Sequence, residues 1–259
     1  MSSEDSSLSS SLTDLMTSLM VVFILLLVSE AGKQKVEALK LEETDQKLEN
    51  ARKNEERFLR TDMNRLNEVK SRLEEFASQL DSLGLRIEES PSDPFTLLII
   101  MPEKSLNFEF NSAELSEQAQ VALARFTEPF IGLLAYDEHV KGQIESLVIE
   151  GHTDHRVSPE NPFRNHELSQ ARSLQVLTYM LRQVKQLDAR ASAPFLEEFD
   201  HMSSASGRAD NDCPEEYASE EQRRQCRKVT FKLRIRSESS RMIGEKIRSE
   251  IGALVEGQT

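Results

Sequence analysis

The sequence predicts an α+β protein with a single N-terminal transmembrane helix, a helical coiled-coil stalk and a C-terminal domain of β-α-β-α-β order. Three observations carry that expectation. One strongly apolar run stands near the start, a charged stretch with heptad spacing follows, and residues 95–237 alternate strand-like and helical patterns. The counts fit a composite chain: 30% of the 259 residues are charged, only 38% are hydrophobic, and many of the latter crowd into residues 15–28. The net charge of −13 argues against nucleic acid as a partner, because phosphate binding needs the opposite sign.

The first element is "LTDLMTSLMVVFILLLVS", residues 12–29. No charged residue lies between Leu15 and Ser29, and residues 8–32 give 25 positions interrupted only by Asp14 and Glu30. A bilayer core of about 30 Å needs roughly 20 helical residues. A span over 12–32, after a short N-terminus at 1–11, therefore holds Asp14 inside it or at its rim. The competing reading, a cleaved signal peptide, needs a basic leader and a small-residue cleavage site. The leader "MSSEDSSLSSS" is acidic and serine-rich, and no A-x-A pattern follows.

Asp14 has two readings. "SLTD" before an apolar helix suits an N-cap. An ionisable group in a span, by contrast, marks an ion path. Low dielectric favours a neutral carboxylic acid and water favours the carboxylate, so such a group takes up a proton on one side and releases it on the other. Thr13, Thr17 and Ser18 place hydroxyls within a turn of it. Around the span, Glu4 and Asp5 precede it while Lys33, Lys35 and Lys40 follow, which taken alone puts the C-terminal part in the cytoplasm.

Residues 33–89 form the stalk. They contain no proline and a single glycine, Gly84, and are dense in Glu, Lys, Arg and Leu. From Leu59 a heptad runs through Leu66, Leu73, Leu80 and Ile87, with Val69, Phe76 and Leu83 at the second position and Asp62 as its polar intruder. That pattern reads as a coiled-coil seam joining two chains. The same spacing also suits one amphipathic helix lying on the following domain. Upstream, Asp45, Arg52 and Glu55 fall on the seam positions and weaken it, and "EESPSDP" (88–94) ends the helix.

In the C-terminal domain, "FTLLIIM" (95–101) and "ESLVIEG" (145–151) are buried-strand patterns, and "RKVTFKLRIR" (227–236) alternates as a half-buried strand. "SAELSEQAQVALARFTEPFIGLL" (112–134) and "NHELSQARSLQVLTYMLRQV" (165–184) carry helical spacing. One sheet with two helices is an α+β sandwich. A tail follows at 238–259, with helical spacing over 241–255. His152 and His155 flank Asp154, yet closed metal sites need more ligands at matched spacing, so no metal is expected. No nucleophile–base pattern and no phosphate loop stands in the chain. The expectation is no catalytic residue, no cofactor and no enzyme activity.

"FEFNSAELSEQA", "IEGHTD", "NHELSQARSLQV" and "CRKVTFKLRI" in that order resemble the successive motifs of the OmpA-like peptidoglycan-binding domain. In that family the Asp of "GHTD" and the Arg of "LSxxRA" hold the amine and carboxylate of diaminopimelate in the wall peptide, which implies those roles for Asp154 and Arg172. The chemistry agrees, since a guanidinium fork fits a carboxylate and an aspartate suits an ammonium. Thr153 lies in the same element, Asn165 falls where the family has an Asn near the ligand loop, and Arg227 matches the first Arg of its "NRRV" strand. The chain departs from the family in the longer loop "HRVSPENPFR", in Cys226 before Arg227, and in a long, less regular segment at 200–225.

A span with a lone aspartate, a stalk and a wall-binding domain together resemble the MotB class of stator subunits. The resemblance implies a homodimer held inside a pentameric ring of a MotA-like multi-span partner, with ions, protons ahead of sodium, crossing at Asp14. Within that class the span is similar to the ZorB type of the Zorya anti-phage systems, whose ring partner is ZorA-like. A flagellar stator and a passive membrane-to-wall tether stay open. Wall binding implies a bacterial inner-membrane protein with its N-terminus in the cytoplasm and its stalk and domain in the periplasm, against the lysine count. In that compartment thiols tend to pair, so Cys213 and Cys226 are expected as a disulfide, with two unrelated thiols as the alternative.

Overall fold

The computed structural model describes residues 4–106, 108–109, 111–155, 161–189, 195–214, 219–238, 241 and 244, with side chains from residue 16 onward. Two compact units divide the chain, Met1–Phe58 and Leu59–Thr259, and helix α1 (Glu4–Gln79) contributes to both. In the first unit α1 is the only described element. Its side chains are exposed from Met16 to Arg57, with Leu19, Phe23, Ile24 and Leu27 among them, and it carries a window long and apolar enough to cross a membrane. The side chains of Thr13 and Asp14 lie outside the described residues; those of Thr17 and Ser18 are exposed. The tail at 238–259 lies almost wholly outside them.

In the second unit the heptad does something other than pair chains. Leu66, Val69, Leu73 and Phe76 are buried in the core of their own domain. The Phe76 ring meets Phe126 edge-on at 5.6 Å between centroids, and Phe126 lies 4.6 Å from Phe231 of the sheet. Asp62, the polar intruder, is buried as well. It accepts from the Ser237 hydroxyl at 2.8 Å and the Glu238 backbone N–H at 3.0 Å. This corrects the expected coiled-coil seam over residues 62–76: the amphipathic helix lies on its own domain, and one apolar stripe cannot also face a second chain.

The expected helix to residue 89 is corrected too. α1 stops at Gln79, a 3-10 turn spans Asp81–Leu83, and Gly84 takes a left-handed φ of 61° that side chains other than glycine's resist. The chain then enters strand β1 (Arg86–Glu89), whose Ile87 pairs with Ile99 of β2 (Thr96–Pro102).

Then follow α2 (Glu103–Leu106), α3 (Glu117–Tyr136), β3 (Ile144–His152), α4 (Arg164–Asp188), α5 (Leu196–Met202), β4 (Ser203–Gly207), α6 (Glu220–Cys226) and β5 (Lys228–Ile235). The strands make one mixed sheet in the order β1-β2-β5-β3-β4, antiparallel except where β4 runs parallel to β3. The central three are those the sequence predicts, while β1 and β4 are additional.

Helix α3 starts where the Ser116 hydroxyl accepts from the Ala119 N–H at 3.1 Å, and it buries Leu123, Phe126, Phe130 and Leu134 at helical spacing. Helix α4 buries Val176, Leu177, Met180 and Val184 toward its C-terminal half, while its first turns bury Asn165, Ser169, Arg172 and Ser173. Of these, Asn165 and Arg172 line a cleft, while Ser169 packs on the sheet and accepts from the Ala209 N–H at 3.1 Å. Gly151 lets it come close: a Cβ at that position would lie 2.2 Å from the Ser169 carbonyl oxygen.

Candidate functional site

Five chain segments converge on one cleft of about 1020 Å³. They are the start of β1 with Gly84 and Arg86, the stretch from Ile100 to Asn111, the end of β3 with Thr153 and Asp154, the first turns of α4 with Asn165 and Arg172, and the α6–β5 junction with Glu220 and Arg227. The cleft therefore gathers all five residues expected to bind the wall, Thr153, Asp154, Asn165, Arg172 and Arg227.

Asp154 and Arg172 are 4% and 6% exposed, so neither belongs to a surface ion pair. Arg172 is clamped from behind. Its Nε donates to the Ser112 carbonyl at 2.9 Å and its Nη2 to the Glu109 carbonyl at 3.2 Å, while the guanidinium carbon sits 4.8 Å from the Phe108 ring centroid. Burial pushes its pKa down to about 10, with Glu103 and Asp154 opposing that shift and Arg227 adding to it. It stays a cation at neutral pH.

Asn165 acts on the backbone. Its Nδ2 donates to the Asp154 carbonyl at 2.8 Å, fixing the turn that presents the carboxylate. The Thr153 N–H donates to the Ala209 carbonyl at 2.8 Å, and its buried hydroxyl has no hydrogen-bond partner among the described residues.

Arg227 binds three carboxylates at once. Nη1 donates to Asp154 Oδ2 at 2.5 Å, Nε to Glu103 Oε1 at 2.6 Å and Nη2 to Glu220 Oε1 at 3.3 Å. Burial works against its charge, but the hydrogen bonds to Glu103 and Asp154 outweigh that and raise its pKa. Sequence reasoning missed Glu103 and Glu220. Glu103 stands one residue past the apolar strand, where any polar residue reads as a strand end. Glu220 sits in a segment without a regular pattern.

The far side of the β3 end is latched to the loop 208–214. His155 is hydrogen-bonded through Nδ1 to Asp210 and through Nε2, at 2.9 Å, to the Pro214 carbonyl, and the Asp210 bond raises its pKa. His152 is the opposite case. It is buried and neither ring nitrogen is hydrogen-bonded among the described residues, although Nδ1 lies 3.1 Å from Asp212 Oδ2; that approach has the distance of an ion pair without the alignment of a hydrogen bond. Burial pushes its pKa down to about 4, helped by Lys228 and opposed by Asp212. Cys213 and Cys226 are joined by a disulfide, with their Cα atoms 5.6 Å apart. The bridge fastens α6 and the start of β5 to the same loop. Among the described residues no group of three His, Cys, Asp or Glu is placed to hold a metal ion.

The end of a strand and the start of a helix thus present a buried acid and a buried guanidinium to one cleft. Residues 107–226 match the model of the OmpA family. The structure of the chain is similar to the periplasmic domain of MotB from Helicobacter pylori (14% identity, 64% of this chain and 98% of that one, TM-score 0.45). It is also similar to a putative MotB-like protein from Desulfovibrio vulgaris (21%, 71% and 97%, 0.48). A third likeness is to the cell wall anchor of the T6SS from Pseudomonas aeruginosa (20%, 64% and 99%, 0.43). No curated protein matches the chain.

Proposed function

We propose that the chain is a peptidoglycan-anchored stator subunit of a membrane ion-driven motor, of the MotB class and of the ZorB anti-phage type within it. The observation that carries the wall-binding part is the cleft lined by both Asp154 and Arg172, each buried, within the segment that matches the OmpA family. Asp154 is already paired with Arg227 and Arg172 with two backbone carbonyls, and a ligand bearing both an ammonium and a carboxylate adds a charge-assisted partner to each. Diaminopimelate in the wall peptide is such a ligand. Asp154 takes its ammonium, Arg172 its carboxylate, and the buried Thr153 hydroxyl gains a partner. The exposed apolar window of α1 supports a single span in the inner membrane with the domain in the periplasm. In this reading two copies sit within a pentameric MotA- or ZorA-like ring, and Asp14, with Thr13, Thr17 and Ser18 beside it, passes protons.

The wall contact is tested by pelleting the full chain in detergent with purified peptidoglycan. Asp154→Asn and Arg172→Lys keep size or charge while removing the ion or the fork. A hydrogen bond to a charged group is worth about 1.5–3 kcal/mol, so each variant should bind roughly ten- to a hundredfold more weakly. Unchanged pelleting of both would remove the cleft from wall binding.

A further inference from the structure

The three carboxylates on Arg227 are not equivalent. Those of Asp154 and Glu103 have side chains 6% and 23% exposed and lie at 2.5 and 2.6 Å, whereas Glu220 is 50% exposed and lies at 3.3 Å. The first two fix the guanidinium in the cleft wall, and the third is the weakest because solvent screens an exposed pair most. Glu220 has a second cation within reach, Arg223 at 3.6 Å on the same helix. Its helix is tied down at the other end, by the Cys213–Cys226 disulfide and by the Arg227 N–H donating to the Arg223 carbonyl at 3.3 Å. Glu220 thus bridges two cations, Oε1 toward Arg227 and Oε2 toward Arg223, and giving up the first leaves the second.

We propose that Glu220 is a stand-in for a ligand carboxylate: it occupies Arg227 Nη2, and the wall peptide binds by displacing it. The inference rests on the wall-binding reading and deepens it, making Glu220 a residue that sets affinity and selects ligands carrying a free carboxylate. Its neighbour Glu221 is the control. Glu221 also lines the cleft, but its side chain is 71% exposed and pairs with Arg224 at 3.8 Å instead of Arg227.

The test titrates the full chain in detergent with a soluble wall tripeptide ending in diaminopimelate, and with the same peptide amidated only at its main-chain carboxylate, which leaves the side-chain ammonium and carboxylate for Asp154 and Arg172. Glu220→Gln should bind the free-acid peptide about two- to fivefold more tightly than the unaltered chain, the range of an exposed ion pair. It should gain nothing for the amidated peptide, and Glu221→Gln should change neither. Equal or weaker binding of the free-acid peptide by Glu220→Gln overturns the displacement. So does an equal gain for both peptides, or an equal gain from Glu221→Gln, which would be a general charge effect. If the unaltered chain and both variants bind neither peptide, the wall reading falls and takes this inference with it. Binding by Glu220→Gln alone would support displacement in its strongest form.

Discussion

His152 is buried with both ring nitrogens lacking hydrogen bonds among the described residues, and its charged form is disfavoured first by that burial and then by Lys228. The unfolded chain takes up the proton near pH 6.5, the folded chain only near 4. Between those values the unfolded state binds more protons, so this residue makes stability fall as pH falls through that window. The full difference is on the order of 3 kcal/mol, at about 1.4 kcal/mol per pH unit. His155 works the other way: its pKa is raised by Asp210, so its contribution is complete below 6.5 and is lost as pH rises through its folded value. Urea unfolding of the unaltered chain and of His152→Gln at pH 7, 6, 5 and 4 separates them. The expected result is a gap between the two that narrows or reverses on acidification, because the glutamine has no proton to gain. A constant gap would show that His152 titrates normally in the fold. The two histidines of the "GHTDH" run thus serve the loop that backs the site. Geometry reveals this where spacing does not, because the partners Asp210 and Asp212 lie far along the chain.

At the scale of elements, the heptad that ends in α1 has a sharp test in Asp62. In a two-chain seam Asp62→Leu would repair the pattern and stabilise the pair. In this fold Asp62 accepts from Ser237 and the Glu238 N–H inside the domain, so leucine strands buried donors and costs about 1–3 kcal/mol. Thermal unfolding of the full chain in detergent should show a lower midpoint for Asp62→Leu; a higher one would restore the seam. The seam and the docked helix were equally legible in the sequence because both need the same apolar stripe, and only the identity of the surface covering it tells them apart. The three central strands and helices α3 and α4 were readable from β-branched runs and 3.6-residue spacing. β1 and β4 were not. "RIEE" offers one apolar residue and "SSASG" none larger than alanine, so these strands exist through their neighbours' backbone pairing. The site was legible only where a motif named it. Asp154, Arg172 and Arg227 came through resemblance, while the clamping carbonyls of Glu109 and Ser112 leave no trace in residue type.

For the whole molecule, the two units carry two different chemistries, and the proposed motor needs both. The second unit offers a polar cleft; the first offers an apolar helix whose side chains from Met16 to Val28 are all exposed, as a surface meant for lipid would be. Asp14 lies just before that stretch, and what it does separates a motor from a tether. Asp14 lies inside α1, which begins at Glu4, so the N-cap reading is corrected; asparagine matches aspartate in size, yet it cannot gain or lose a proton. If Asp14 carries no ion, Asp14→Asn keeps every function of the chain. If Asp14 carries the ion, the variant still reaches the membrane, still pellets with peptidoglycan and still co-purifies with its ring partner, but ion flux falls to background and the phenotype disappears. The expected outcome is that loss, read as phage protection for a ZorB-type system and as motility for a flagellar one. Asp14→Glu supplies the second arm, since it keeps the titrating carboxyl and should retain part of the flux. Full protection or full motility by Asp14→Asn, with assembly intact, would leave a chain that fastens membrane to wall and drives nothing.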